Sequence, residues 1–178
     1  KSKRLSFEMI DGTQMPYPEN SFALVYSISV IEHIFEKYTV ALSEMIRVAK
    51  QGGYVYLTFP VSKEHQEEWT TSSIYSNQAV SENKTFFQYR FSEKDVTEIL
   101  HHVASKTEII TQDIYWEKSD GIYNKIVQTK LSDSKGVAGF IRQCFFQMYY
   151  GFTLLKSAPE SFGSASGLGV MHILLRKK

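Results

Sequence analysis

The sequence predicts an α/β fold built on a mostly parallel sheet with an antiparallel last strand. Three stretches carry that prediction. FALVYSIS (22–29) is an almost unbroken apolar run, as in a strand covered on both faces. KYTVALSEMIRVAK (37–50) has the period of a helix, and YVYLTFP (54–60), after a glycine pair, is apolar again. Strand, helix, glycine turn and strand form the repeating unit of a parallel sheet.

The elements follow in order. LSFEMI (5–10) reads as a short strand, and DGTQMPYPENS (11–21) as a loop broken by Gly12, Pro16, Pro18 and Asn20. In the helix over 37–50, Tyr38, Ala41, Leu42, Met45 and Ala49 make one apolar stripe. Glu44 and Arg47 can pair on its surface, and Gly52 can supply the left-handed residue that closes it. Pro60 is expected to end the next strand. Residues 61–90 read as a long polar, irregular segment of the kind that forms lids. FSEKDVTEILHHV (91–103) opens a helix, with Ser92 as N-cap, Asp95 three residues on, and Phe91 and Val96 as a hydrophobic staple. TEIITQDIYWE (107–117) reads as a strand, KGVAGFIRQCFFQMYYGF (135–152) as an aromatic-rich amphipathic helix, and VMHILLRK (170–177) as a final strand.

The 178 residues suit a single domain. Twenty Lys and Arg against 19 Asp and Glu give a formal charge of +1, which supplies no electrostatic footprint for nucleic acid. Cys144 is the only cysteine; a disulfide framework is excluded, and a cytoplasmic setting is expected. No apolar run reaches the ~20 residues that span a bilayer. The chain opens KSKRLSFEM without an initiator methionine, so its start is not expected to be the natural one.

Two stretches carry chemistry-bearing residues. In DGTQMPYPENSF a carboxylate opens a loop and Met15 follows four places later; Asp-Gly is also a common turn pair. SVIEHI (29–34) follows the first buried strand, at the end where open α/β sheets bind ligands, and His33 there is a candidate base near neutral pH. No metal site is expected. Glu32 and His33 are adjacent and point differently, and the same holds for His101 and His102. The Gly52–Gly53 pair precedes a strand rather than a helix and so is no phosphate loop.

In combination, MPYPENSF, ALVYSIS, VIEHI and LSEMIRVAKQGGYVYLTFP resemble the class I S-adenosylmethionine-dependent methyltransferases, in their small-molecule type 11 branch. YRFSEKDVTEIL and GVMHILLRKK resemble later parts of the same domain, with 61–90 and 118–165 left as variable substrate or lid elements. Three departures stand out. Ala23 replaces the family's acidic residue and Gln51 its proline, while Ser29 occupies the first position of the Glu-x-x-Glu-His that holds a metal in some relatives.

The resemblance implies a Rossmann-like methyltransferase fold with strands one and two missing, a single incomplete domain over residues 1–178, and a glycine-rich cofactor loop upstream of residue 1. It implies that Asp11, Gly12 and Met15 hold the adenine of S-adenosylmethionine and that Ser27, Ile28 and Ser29 flank its methionine and methyl group. His33 is the only base placed by the motif. A small-molecule substrate is expected, and the open edge of 22–29 invites a homodimer. Residues 1–178 alone are expected to show no detectable binding of S-adenosylmethionine at micromolar ligand, whereas the full-length protein is expected to bind it. Two alternatives remain: a methyltransferase-like domain without catalysis, and another α/β enzyme sharing only the helix–Gly-Gly–strand unit.

Overall fold

The computed structural model describes residues 6–71, 78–122 and 155–178. A four-stranded sheet has the order β1-β2-β7-β6, formed by β1 (Phe22–Ile28), β2 (Ala49–Val61), β6 (Thr107–Trp116) and β7 (Gly169–Lys177). β1 and β2 are parallel, in register from Leu24↔Tyr54 to Ile28↔Thr58. β7 lies antiparallel between β2 and β6, so β1, β2 and β6 share one direction and β7 alone opposes them. Both pairings match the sequence expectation.

The parallel pair is joined by α1 (Tyr38–Val48), preceded by a short 3-10 turn at Ile31–His33. α2 (Glu93–Val103) starts in a complete capping box: Asp95 N donates to Ser92 Oγ, and Ser92 N donates to Asp95 Oδ2. The staple residues Phe91 and Val96 are both buried. Strand alternation sends Val55, Leu57, Phe59 and Val61 of β2 to one face with Met171, Ile173 and Leu175 of β7. The apolar stripes of α1 (Leu42, Met45, Ile46) and α2 (Val96, Ile99, Val103) close over that face. Among the described residues no helix is long and apolar enough to cross a membrane.

Five expectations need correction. β1 is not covered on both faces: Phe22, Leu24, Tyr26 and Ile28 are exposed, and Ser27 alone of its residues is buried. Residues 6–10 form no strand: Phe7 and Met9 are fully exposed, and no neighbouring chain supplies the hydrogen bonds an extended segment requires. α1 ends at Val48 without Gly52, because Ala49 is already extended. Gly52, at φ +72°, instead lies within β2, where residues 50–53 bulge opposite Ala23. A Cβ on Gly53 would stand 2.9 Å from the carbonyl oxygens of Ala23 and Lys50, so the bulge itself requires glycine there. β2 runs one residue past Pro60, whose carbonyl accepts from Phe91 N while Phe91 O accepts from Ser62 N.

The largest correction concerns residues 61–90, which fold as a second sheet. β3 (Gln66–Thr70), β4 (Val80–Ser81) and β5 (Lys84–Arg90) form it in the order β3-β5-β4, all antiparallel. Phe86 and Tyr89 of β5 enter the main core with Phe91; Phe35 packs tilted on Phe86 and stacked on Tyr89, and Trp69 meets Phe35 and Phe86 edge to face. Buried Gln88 donates to Glu68 at 2.5 Å, and Arg90 pairs with the same carboxylate. The helix expected over 135–152 lies outside the described residues.

Lys177 fastens the end of the chain to the crossover. Its buried ammonium donates to the carbonyls of Arg47 and Ala49, at 3.2 and 3.0 Å, and to Asn20 Oδ1 at 3.0 Å. A cation there satisfies carbonyls at the C-terminal end of α1 and complements its dipole. Lys177→Met keeps the aliphatic stem and loses these bonds. A decrease in unfolding free energy of about 2 kcal/mol is expected from urea titration, within the range for hydrogen bonds to a charged group.

Candidate functional site

The carboxyl ends of β1 and β2 meet the loop that precedes β1. Ser29, directly after β1, takes a left-handed conformation (φ +52°), and its N–H donates to both the carbonyl and the hydroxyl of Thr58. That turn sends the chain over the strand end and into the Ile31–His33 turn. The result is a pocket of about 270 Å³, near the lower end of ligand-site volumes. Gly12 and Met15 line one side and Tyr26, Ser27 and Ile28 the strand end; Ile31, Ile34, Ala41 and Met45 close it from the turn and α1.

The structure therefore brings together Gly12, Met15, Ser27 and Ile28, four of the six residues read as cofactor-binding. Ser29 shapes the turn beside them. Asp11 is exposed next to Gly12, and its Oδ1 accepts from both the N–H and the hydroxyl of Thr13, at 2.8 and 2.7 Å. These two bonds hold its carboxyl below the usual range, so the group stays an anion, with Oδ2 turned to solvent. The hydroxyl of Ser27, a lining residue, is buried and has no protein partner. A polar ligand atom at the strand end would satisfy it.

His33 stands outside the pocket lining. Its Nδ1 lies 2.6 Å from the Phe87 carbonyl, which fixes the neutral tautomer with the proton on Nδ1 and the lone pair on Nε2. Its ring packs on Phe87, and Nε2 is 3.9 Å from Glu32 Oε1. A glutamate next to a histidine in a short turn reads from the sequence as a solvated side chain. Glu32 is in fact 1% exposed, and its Oε2 has no hydrogen-bond partner. Burial pushes its carboxyl up to about 7. The sequence does hold a weak signal for this: Glu32 lies directly between Ile31 and His33 in a turn that follows a buried strand.

The loop is held in place from α1. Glu44 Oε2 accepts from Met15 N at 2.9 Å, and Arg47 donates from Nη2 to Met15 O and from Nη1 to Tyr17 O at 2.9 and 2.8 Å. Arg47 also grips both oxygens of Glu44, which lowers the glutamate's pKa.

An α/β sheet with one antiparallel strand, and a pocket at the strand carboxyl ends beside an acidic loop, is the arrangement that the sequence's resemblance to S-adenosylmethionine-dependent methyltransferases leads one to expect. Comparison with known proteins agrees. Residues 1–57 match the family model described as a methyltransferase domain. Over 61 residues the chain is 38% identical to ajmaline N-methyltransferase from Rauvolfia serpentina, a match covering 34% of this chain and 21% of that enzyme. The match thus spans about a fifth of the curated relative's length. Among solved structures, the [4+2]-cyclase SpnF superposes at a TM-score of 0.56 and 18% identity, covering 99% of this chain and 58% of its own. A candidate methyltransferase from Bacillus halodurans C-125 superposes at 0.52 and 15% identity, covering 98% and 78%. At these identities the structural matches speak for the fold.

Glu32 makes a pH-dependent contribution to stability. Its folded pKa, about 7, lies above the ordinary 4.5, so the folded chain holds this proton between those values while the unfolded chain releases it. Stability therefore falls as pH rises from 4.5 to about 7 and levels off above. Glu32→Gln removes this slope. Urea midpoints of the two proteins are expected to converge at about pH 5 and to separate at about pH 8, with the variant more stable by about 3 kcal/mol.

Proposed function

We propose that this chain takes part in S-adenosylmethionine-dependent methyl transfer to a small or medium-sized acceptor. One observation supports this reading: Met15 and the end of β1 line one apolar pocket at the carboxyl ends of parallel strands, and the anionic Asp11 stands exposed directly before the lining residue Gly12. That set fits the cofactor's adenosine. Asp11 Oδ2 accepts from the exocyclic amino group, Met15 and Ile34 cover the faces of the ring, and Ser27 Oγ bonds to a polar atom deeper in the pocket. Gly12 adds backbone to the rim, and Ile28 and Ser29 flank the methionine end.

When bound, S-adenosylmethionine supplies the activated methyl group; the protein's work is positioning and exclusion of water. An acceptor that must lose a proton needs a base, and His33 Nε2 takes that part. Glu32, beside it, stabilises the imidazolium once its own carboxyl is ionised. The reaction is set in the cytoplasm, and the exposed edge of β1, with Leu24, Tyr26 and Ile28, is the surface on which a second copy would pair.

A second reading, a methyltransferase-like domain that binds without transferring methyl, rests on the fold's use in a protein named as a cyclase. Detection of methyl transfer separates the two. Calorimetric titration with S-adenosylmethionine tests the pocket itself. Asp11→Ala is expected to weaken binding by about tenfold, the loss of one charge-assisted hydrogen bond. Unchanged affinity in that variant would remove Asp11 from the site.

A further inference from the structure

The Glu44–Arg47 pair does more than decorate the surface of α1. Residues 11–21 contain no regular secondary structure, so something other than a hydrogen-bond ladder must hold them over the strand end. Within the loop itself the recorded bonds are local: Thr13 to Asp11, Gln14 N to Asp11 O, and Ser21 Oγ to Pro18 O. The bonds that cross to the body of the protein at Met15 and Tyr17 all come from Glu44 and Arg47.

These two side chains hold Met15 from both sides. The N–H donates to Glu44 Oε2, while the carbonyl accepts from Arg47 Nη2. Arg47 is held to Glu44 through Nε at 2.6 Å and Nη2 at 2.8 Å, so its planar fork cannot swing away without breaking a paired contact. A backbone fixed at both its donor and its acceptor has little freedom left, and the side chain it carries enters the pocket. Further along, Asn20 N and Ser21 N donate to the carbonyls of Arg47 and Val48, so the loop is docked on α1 at its middle and at its far end.

We propose that Glu44 and Arg47 are positioning residues for the cofactor site. They hold Met15 at the height at which its thioether covers the bound ring, and they set affinity without touching the ligand. The proposal rests on the cofactor reading given above. It also explains why a loop rich in breakers can serve as one wall of a ligand pocket: its order is imported from a helix, through backbone contacts that do not depend on the loop's own sequence.

The test uses Arg47→Lys, which keeps the charge and loses the fork, Glu44→Gln, and Met15→Ala, alone and in pairs. Two quantities are measured: affinity for S-adenosylmethionine by calorimetry, and exchange of the Met15 amide hydrogen in the ligand-free protein. Arg47→Lys and Glu44→Gln are each expected to weaken binding by about tenfold, as expected for loss of charge-assisted bonds. Amide exchange at Met15 should rise by a similar factor, with the melting temperature little changed. In a Met15→Ala background, Arg47→Lys should have almost no further effect on affinity, because the clamp acts through that side chain. A general weakening of the fold would instead lower affinity equally in both backgrounds, and that result overturns the proposal. Unchanged exchange at Met15 in Arg47→Lys and Glu44→Gln overturns the clamp while leaving the cofactor reading intact. Absence of binding by the unaltered full-length protein overturns the cofactor reading and with it the role in affinity; the exchange measurement still reports whether the pair orders the loop.

Discussion

The parallel pairing of β1 with β2 is the constraint on which the rest of the molecule depends. Two parallel strands cannot be joined by a tight turn, so the chain must cross over, and the crossover is α1. Once α1 lies on the sheet, the two carboxyl ends stand side by side with no connection between them. Whatever leaves β1 must then bend sharply. Ser29 does so in a strained conformation, steadied by two bonds from Thr58, its near neighbour across the ladder. The pocket is the space this bend leaves between the strand end, α1 and the loop.

α1 consequently serves three structures at once. Its apolar stripe covers the sheet, its polar side grips the preceding loop through Glu44 and Arg47, and its last carbonyls receive Lys177 from the far end of the chain. Sheet, loop and terminus are thus referenced to one rigid body. This matters for a binding site built partly from irregular backbone. The small displacements that spoil positioning are resisted by a helix rather than by the loop.

How much of this could be read from the sequence depended on whether the determining contacts were local. The crossover unit and α2 were legible because hydrophobic period and capping residues are written within a dozen positions. The pocket wall at Gly12, Met15, Ser27 and Ile28 was legible only through resemblance to a family. The β3–β5 sheet was missed because Gln66–Thr70 is polar apart from Trp69, and because β5 buries the neighbours Gln88 and Tyr89 instead of alternating cleanly. The strand read into residues 5–10 failed for the opposite reason: the alternation of Leu5, Phe7 and Met9 is present, yet no partner strand stands beside it. The Glu44–Arg47 pair was visible at helix spacing, but its partners are backbone atoms about thirty positions away, which no side-chain pattern announces.

Glu32 shows the same limit in electrostatic form. A glutamate beside a histidine just after a buried strand reads as solvated, because nothing in those neighbours says what will cover it. What covers it is supplied by the second sheet. β5 brings the Phe87 carbonyl to His33 and sets Phe86 and Tyr89 against Phe35, so the short turn carrying Glu32 is sealed on its outer side. An antiparallel sheet that contributes no residue to the pocket lining therefore packs against the turn that carries a buried carboxyl at the end of the parallel pair. Among the described residues, two buried side-chain oxygens at this strand end, Glu32 Oε2 and Ser27 Oγ, lack protein partners. Unsatisfied polar atoms cost the fold stability, and their presence at a strand end beside a pocket is the physical ground for the proposal made for this region.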